Sequence, residues 1–311
     1  MPPFAVSTVL ASHQREHLSM FLSAPPEVTA RRVASLGTLV SALEMLSQTR
    51  KFEEGEMLSG QLANMRPKFA KRFPRLTRAL ESKKAAVALY GVQAGASAAT
   101  LIWAHKRGVR TAGSAVLAVT GAAGRLRTPF GGDGADQLQQ VINVVLASTG
   151  TFKDGEKARD VAMRALALET TISYVASGVV KLVSPVWLSG EAFSGVIRTR
   201  NYGDQRVYRL VHEYPTVGKL VTWGTIAAEV SFPLVFVLPK PAAKAFLGSM
   251  TLFHLGIGQF MGLNRFVLAF GATHPALLYV FGESDKRAAE RAAELAGKTL
   301  AAIAPVAASA R

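Results

Sequence analysis

Cysteine is absent from the 311-residue chain, which excludes disulfides, cysteine nucleophiles and cysteine-ligated metals without identifying a compartment. Charge is sparse. Only 18% of residues are charged while 49% are hydrophobic, and the mean hydropathy is +0.22, a balance that favours one polytopic membrane domain over two soluble ones. The first residues, MPPFAVSTVLASHQREH, do not read as a signal peptide, because they have no basic n-region and turn polar after about a dozen residues. Insertion is therefore expected to rely on internal spans. No GxSxG elbow, phosphate loop, Rossmann fingerprint, HExxH or cysteine–histidine metal pattern occurs. Acidic residues are the minority charge, leaving a formal charge of +15. No nucleic-acid-binding signature accompanies that charge, and many of the basic residues flank apolar runs. The expected partner is a lipid bilayer that includes anionic lipids, and nucleic acid is not expected.

The apolar runs predict an all-α fold, a polytopic membrane helical bundle of about six to eight spans. Residues 1–32 read as a polar N-terminal segment broken at Pro25-Pro26, with Thr29 as an N-cap for the first helix, 33–285 as the membrane domain, and 286–311 as a charged Ala-rich tail. Residues 33–46 predict that first helix, either a crossing extended by its flanks or an interfacial helix. Residues 85–104 are the cleanest span, twenty residues without a charge. Gly91 and Gly95 within it would let another helix approach. Residues 111–124 and 138–152 are shorter candidates; 161–183, 220–238, 245–263 and 266–282 complete the series.

Between the first two helices, residues 66–84 carry eight Lys or Arg and one acid, with Phe69, Phe73, Leu76 and Leu80 at helical spacing. That pattern predicts a basic amphipathic helix, interrupted at Pro74, lying on the cytoplasmic face of the membrane. Four crossings from there return the chain to the same side at Arg198, Arg200, Arg206 and Arg209, as the positive-inside rule requires, although Lys106, Arg107 and Arg110 then face outward.

Within these runs, ionisable residues stand where hydrocarbon is expected. Lys181 is one; an ammonium near a bilayer centre costs roughly 2.5 to 3.5 kcal/mol on insertion scales. Steps of four back from it reach Ser177, Ser173 and Glu169, a polar stripe expected to face a bundle interior. Lys181 could equally sit at a helix end and snorkel, with Trp187 marking the interface. Glu229 sits mid-span with Thr222 and Thr225 near its face, able to bind a cation or substrate or to neutralise Lys181 or Arg265. His254, followed by Gly258 and Gly262 at four-residue steps, predicts close packing and a group able to orient a hydroxyl or shuttle a proton. It could also satisfy an interhelical hydrogen bond. His274, before Pro275, reads as structural. Asp133 and Asp136 in GGDGADQ could approach a divalent cation, but a glycine turn with Asp136 capping a helix explains them more simply.

Tyr174, Ser177-Gly178, Lys181-Leu182, Trp187 and Gly190 together resemble the helix that holds the active-site lysine in vitamin K-dependent gamma-carboxylase and the wider HTTM (horizontally transferred transmembrane) domain family. Phe253-His254, Gln259 and Phe266 are similar to the FH-x4-Q-x6-F run of a later helix in that family, and GGDGADQ to a loop of bacterial HTTM proteins. The similarity extends over about residues 30 to 285. It implies Lys181 as a catalytic base, made available as the neutral amine by desolvation. It also implies His254 as a catalytic or substrate-orienting group, with Glu229, Glu169 and Gln259 in substrate binding or charge balance, no metal, and a quinone or hydroquinone as possible cofactor. Sporulation-delaying-protein B-like relatives are associated with maturation of a secreted peptide, which implies a small peptide substrate and a bacterial cytoplasmic membrane. The chain lacks the large propeptide-binding domain of the carboxylase, so glutamate carboxylation itself is not expected. The expectation is quinol-linked or peptide-modifying membrane chemistry; the alternative is a nonenzymatic membrane scaffold, immunity factor or transporter component.

Overall fold

The computed structural model describes residues 24–56, 58–59, 72–128 and 132–282, and among them every regular element is a helix. Helix α1, Pro26–Ser47, begins with proline at its first position, where the missing N–H is no loss and φ is already helical. Pro25 is the residue before the helix, so Thr29 lies inside the first turn instead of capping it, and the helix crosses the expected boundary at residue 33. A 3-10 turn, Thr49–Phe52, comes next. The expected surface helix 66–84 falls partly outside the described residues. Within its described part, Pro74 opens a helix, α2, Pro74–Glu81, on which Leu76 is half exposed beside the similarly exposed Phe73. Ser82 then caps α3, Lys83–Trp103, by accepting from the Ala85 N–H at 3.1 Å. The tail 286–311 and most of the segment 1–32 lie outside the described residues.

Helix α4, Arg107–Arg127, runs back along α3: Gly113 meets Thr100 near one end and Gly124 meets Leu89 near the other. Helix α5, Gly134–Gly150, is antiparallel to α4, with Gly150 against Thr111 and Gln140 donating to the Ala118 carbonyl at 2.8 Å. Asp133, not Asp136, caps α5. Its carboxylate accepts from the Ala135 and Asp136 N–H groups at 2.9 and 3.1 Å, while Asp136 accepts from the Asp133 N–H at 3.1 Å, closing a reciprocal box. Arg265 bridges both carboxylates at 3.2 and 3.0 Å, which joins the start of α5 to a later helix.

Helix α6, Gly155–Leu182, starts at an Asp154 cap and is the longest element among the described residues, at 28 residues. Short helices α7, Pro185–Leu188, and α8, Ala192–Ile197, and then α9, Gln205–Glu213, lead to α10, Pro215–Val230. The expected span 220–238 breaks at Ser231, after which Phe232–Phe236 forms a 3-10 turn containing Pro233, which has no N–H to continue an α-helix. Helix α11, Lys240–Met261, stops at Gly262 in the left-handed region at φ +70°, a conformation glycine adopts without strain. Helix α12, Asn264–Gly271, ends at Ala272-Thr273 before a last helical stretch, 274–282, so the expected span 266–282 is also broken.

One apolar core joins these helices, drawing Ala34 from α1, Ile142 from α5, Leu166 and Tyr174 from α6, Phe232, Met250 from α11 and Phe270 from α12. The inward face of α6 is Ala162, Met163, Leu166, Ala167, Thr170, Tyr174 and Gly178. The polar stripe Glu169, Ser173, Ser177 and Lys181 therefore lies along the edge of that face and not at its centre. Among the described residues two helices, α3 and α6, are long and apolar enough to cross a membrane, and only 22% and 28% of their apolar windows are buried. Val92, Ile102, Leu168, Ile172 and Val180 point outward from them.

The Asp133 box and its arginine bridge predict that Asp133→Ala lowers stability by about 1 to 2 kcal/mol, with Asp133→Asn costing less because the amide oxygen can still cap. Denaturant unfolding of the two purified variants reads this directly; equal losses would mean that the cap contributes nothing.

Candidate functional site

The site is assembled on the last three turns of α6. Gly178 presents no side chain, and Val230 occupies the space: a Cβ on residue 178 would stand 2.7 Å from Val230 Cγ2 and 2.9 Å from the Val230 backbone nitrogen. This close approach seats the end of α10 on α6 and brings Glu229 to Lys181, one turn beyond Gly178. Lys181 Nζ donates to Glu229 Oε2 at 2.6 Å and to the Ser177 carbonyl at 3.3 Å, and it lies 4.9 Å from the centre of the Trp187 ring. Side-chain exposure is 17% for Lys181 and 8% for Glu229, so the pair is shielded but its ammonium end is not sealed. Carboxylate, carbonyl and indole face together replace much of the hydration that the ammonium gives up.

Two turns earlier on the same helix, Tyr174 shares a 2.8 Å hydrogen bond with His254 Nε2 from α11. Seven residues of helix separate Tyr174 from Lys181 by about 10 Å along the axis, on nearly one face. His254 is buried and stacks on Phe270 at 4.1 Å, with Phe253 edge-on at 5.2 Å and Phe266 parallel at 6.4 Å. Tyr174 in turn stacks on Phe232 at 4.2 Å. The second ring nitrogen, His254 Nδ1, is buried without a hydrogen-bond partner among the described residues. Gly258 packs closely against Val267 and Asn264, as its spacing from His254 suggests, whereas Gly262 terminates the helix and packs against nothing within 4 Å.

The remaining residues singled out by sequence separate from this pair of contacts. Glu169 is half-buried and stands 3.5 Å from the Ser173 hydroxyl, three turns from Lys181. Gln259 is exposed, on a different face of α11 from the buried His254. Thr222 does not serve Glu229: its hydroxyl donates to the Gly190 and Gly218 carbonyls and accepts from the Phe193 N–H, pinning α10 to the turn before α8. His274 meets Thr251 at 3.3 Å, a link between helices. Arg265 is neutralised by Asp133 and Asp136 and not by Glu229. No cluster of three or more His, Asp or Glu residues suited to a metal occurs among the described residues.

Sequence reasoning overlooked Tyr174 as the partner of His254, because an aromatic in an apolar run carries no spacing signal. It also overlooked a cavity of about 350 Å³ between α1, α3, α4, α5 and α12, whose polar lining includes Thr38, Gln93, Gln139, Gln140 and Asn143. Of the residues that sequence singled out, Asp136 and Arg265 line it, whereas Lys181, Glu229 and His254 do not. At its edge Arg31, fully buried, donates to Asn143 Oδ1 at 2.8 Å.

The Gly178 contact gives a sharp contrast between glycines. Gly178→Ala is expected to cost about 1 to 3 kcal/mol, because backbone as well as side chain must move, whereas Gly91→Ala, with nothing within 4 Å of the added methyl, is expected to cost nothing. Unfolding midpoints of the two variants measure the difference, and equal midpoints would remove Gly178 as the determinant of how α10 seats.

Comparison of the chain with protein-family models, curated proteins and solved structures gave no match.

Proposed function

We propose that this chain is an integral membrane protein of the HTTM type, crossing the bilayer about six to eight times, whose chemistry is proton transfer at the Lys181–Glu229 pair. The membrane reading is supported by the outward apolar faces of α3 and α6, since contiguous apolar surface of that kind needs a nonaqueous neighbour. Alternating helix directions place Lys83, Arg125 and Arg127 at one end of the bundle, the end at which α6 finishes and the chain proceeds to Arg198, Arg200, Arg206 and Arg209. By the positive-inside rule that end is cytoplasmic, in a bacterial cytoplasmic membrane.

The observation that carries the chemical reading is the 2.6 Å contact between a half-buried lysine and a buried glutamate. When Lys181 passes its proton to Glu229, the neutral amine can take a proton from an acidic O–H or C–H of a substrate entering from the exposed side of the ammonium. The substrate bond to hydrogen breaks, its electron pair stays on the substrate, and both protons end on the pair. Tyr174 and His254 have the donors and acceptors to orient a hydroquinone, but Phe266 and Phe270 fill the ring space beside the histidine. This packing leaves no ring-sized space for a quinone beside His254.

A nonenzymatic scaffold is the second reading, favoured by one specific fact: the ammonium already has three partners, the arrangement of a structural ion pair joining α6 to α10. Two variants separate the readings. Lys181→Met alone leaves a buried carboxylate unpaired and is expected to destabilise by about 3 to 5 kcal/mol, whereas Lys181→Met with Glu229→Leu is expected to recover much of that loss. Mass comparison of peptides and membrane extracts from cells expressing each form then tests chemistry. A product present with the wild type and lost with the stable double variant supports the base; an unchanged profile rejects it and leaves the scaffold.

A further inference from the structure

At the opposite end of the bundle from Lys181, the ends of α1, α4, α5 and α6 enclose a cavity of about 220 Å³ with an unusual charge balance. Arg107, Arg110 and Arg159 line it and Glu27 is its only acid, an excess of two positive charges. Glu27 is already committed to Arg159, whose Nε donates to it at 2.9 Å. The other two arginines have no ion pair among the described residues. Arg110 donates to the Ala104 carbonyl at 2.7 Å and Arg107 to the Lys153 carbonyl at 3.3 Å, neutral acceptors that hold each guanidinium in place without pairing its charge.

Two further features bear on the charge balance. Arg107 Nη1 lies 3.8 Å from the position a Cβ would take at Gly155, the first residue of α6, a helix start whose partial positive charge is already answered by the Asp154 cap and by Glu156. One turn inward from Glu27, Arg31 is fully buried, and its Nε and Nη2 have no hydrogen-bond partner among the described residues. Its one hydrogen bond among the described residues is to the neutral amide of Asn143, itself one turn from the cavity-lining Leu146. Four guanidinium groups thus stand in or beside a cavity whose lining holds a single carboxylate, Glu27, while Asp154 and Glu156 flank the α6 N-terminus outside that lining, an arrangement that favours an anion in the space.

We infer that this cavity is a binding site for a phosphate group, presented by a phospholipid headgroup or by a phosphate-bearing solute. Phosphate matches the donors: its several oxygens accept the paired N–H groups of guanidinium forks, and its charge answers the arginine excess of the cavity lining. The cavity lies where the helices end, which in the membrane reading proposed above is headgroup depth. The charge argument itself does not depend on that reading.

The test uses the purified full-length protein, wild type and Arg107→Gln/Arg110→Gln, with exposed Arg198→Gln as the control. Thermal unfolding is followed in detergent with and without inorganic phosphate, and in phosphatidylcholine nanodiscs with and without phosphatidylglycerol. For the wild type and the control, the midpoint is expected to rise with at least one of the two additives, and the apparent affinity for it to fall tenfold or more in the double variant. Stabilisation by phosphatidylglycerol alone assigns the group to lipid; stabilisation by inorganic phosphate, with or without the lipid effect, assigns the site to phosphate itself and stands even if the membrane reading fails. No stabilisation by either additive, or equal stabilisation of the double variant, overturns the site. Should the double variant fail to fold, single Arg107→Gln serves instead: the apparent affinity for the stabilising additive is expected to fall severalfold, and an undiminished response counts against the proposal.

Discussion

The 2.6 Å contact between Lys181 and Glu229 is the constraint around which the second half of the bundle is arranged. Removing either partner would leave a lone charge in a shielded place, so the two helices that carry them must stay in one register. Gly178 makes that register sterically possible by letting Val230 sit where a side chain would otherwise project. The Thr222 bonds to Gly190 and Gly218 then hold the other part of α10, and the chain breaks at Ser231 so that Phe232 can turn into the core against Tyr174. Electrostatics thus selects the helix pair, and the absence of one Cβ selects how close it comes.

Around His254 the logic is apolar. Its ring is stacked among Phe253, Phe266 and Phe270, an environment in which an unsatisfied polar atom is costly. Tyr174 satisfies one nitrogen and leaves Nδ1 without a partner among the described residues. This is the kind of incompletely satisfied buried group that packing alone does not favour, and it adjoins the helix that carries Lys181. The two polar contacts share α6 as their common support, so a displacement of that helix would reach both.

Positive charge is distributed over both ends of the bundle, but in different forms. At one end Arg265 is bridged to Asp133 and Asp136, so its guanidinium serves as a clamp between α5 and α12. At the other, Arg107 and Arg110 rest on backbone carbonyls, and no acid among the described residues pairs with them. The same residue type is therefore structural where carboxylates meet it and electrostatically unfinished where they do not.

Hydropathy by itself determined that the chain is helical, where the uninterrupted runs α3 and α6 lie, and that Lys181 requires a partner, because these depend only on local composition and the cost of desolvating a charge. It did not determine which acid answers the lysine. Glu169 lies on the same helix at suggestive spacing, yet Glu229, 48 residues away in sequence, makes the contact. Gln259, grouped by motif with His254, faces outward, while Tyr174, which no polar pattern marks, bonds to it. Asp133 and Asp136 were both legible as residues of a glycine turn, but only the backbone geometry decided which of them caps α5. Pro233 and Pro275 mark the neighbourhoods of the breaks at Ser231 and Ala272-Thr273, but the cavity lined by amides and the buried Arg31 were invisible in one dimension. The reason is physical: composition sets the free energy of placing a segment in an apolar environment, whereas the identity of each partner depends on the distance and register between helices, which side-chain volume at contacts such as Gly178 decides only when the helices have packed.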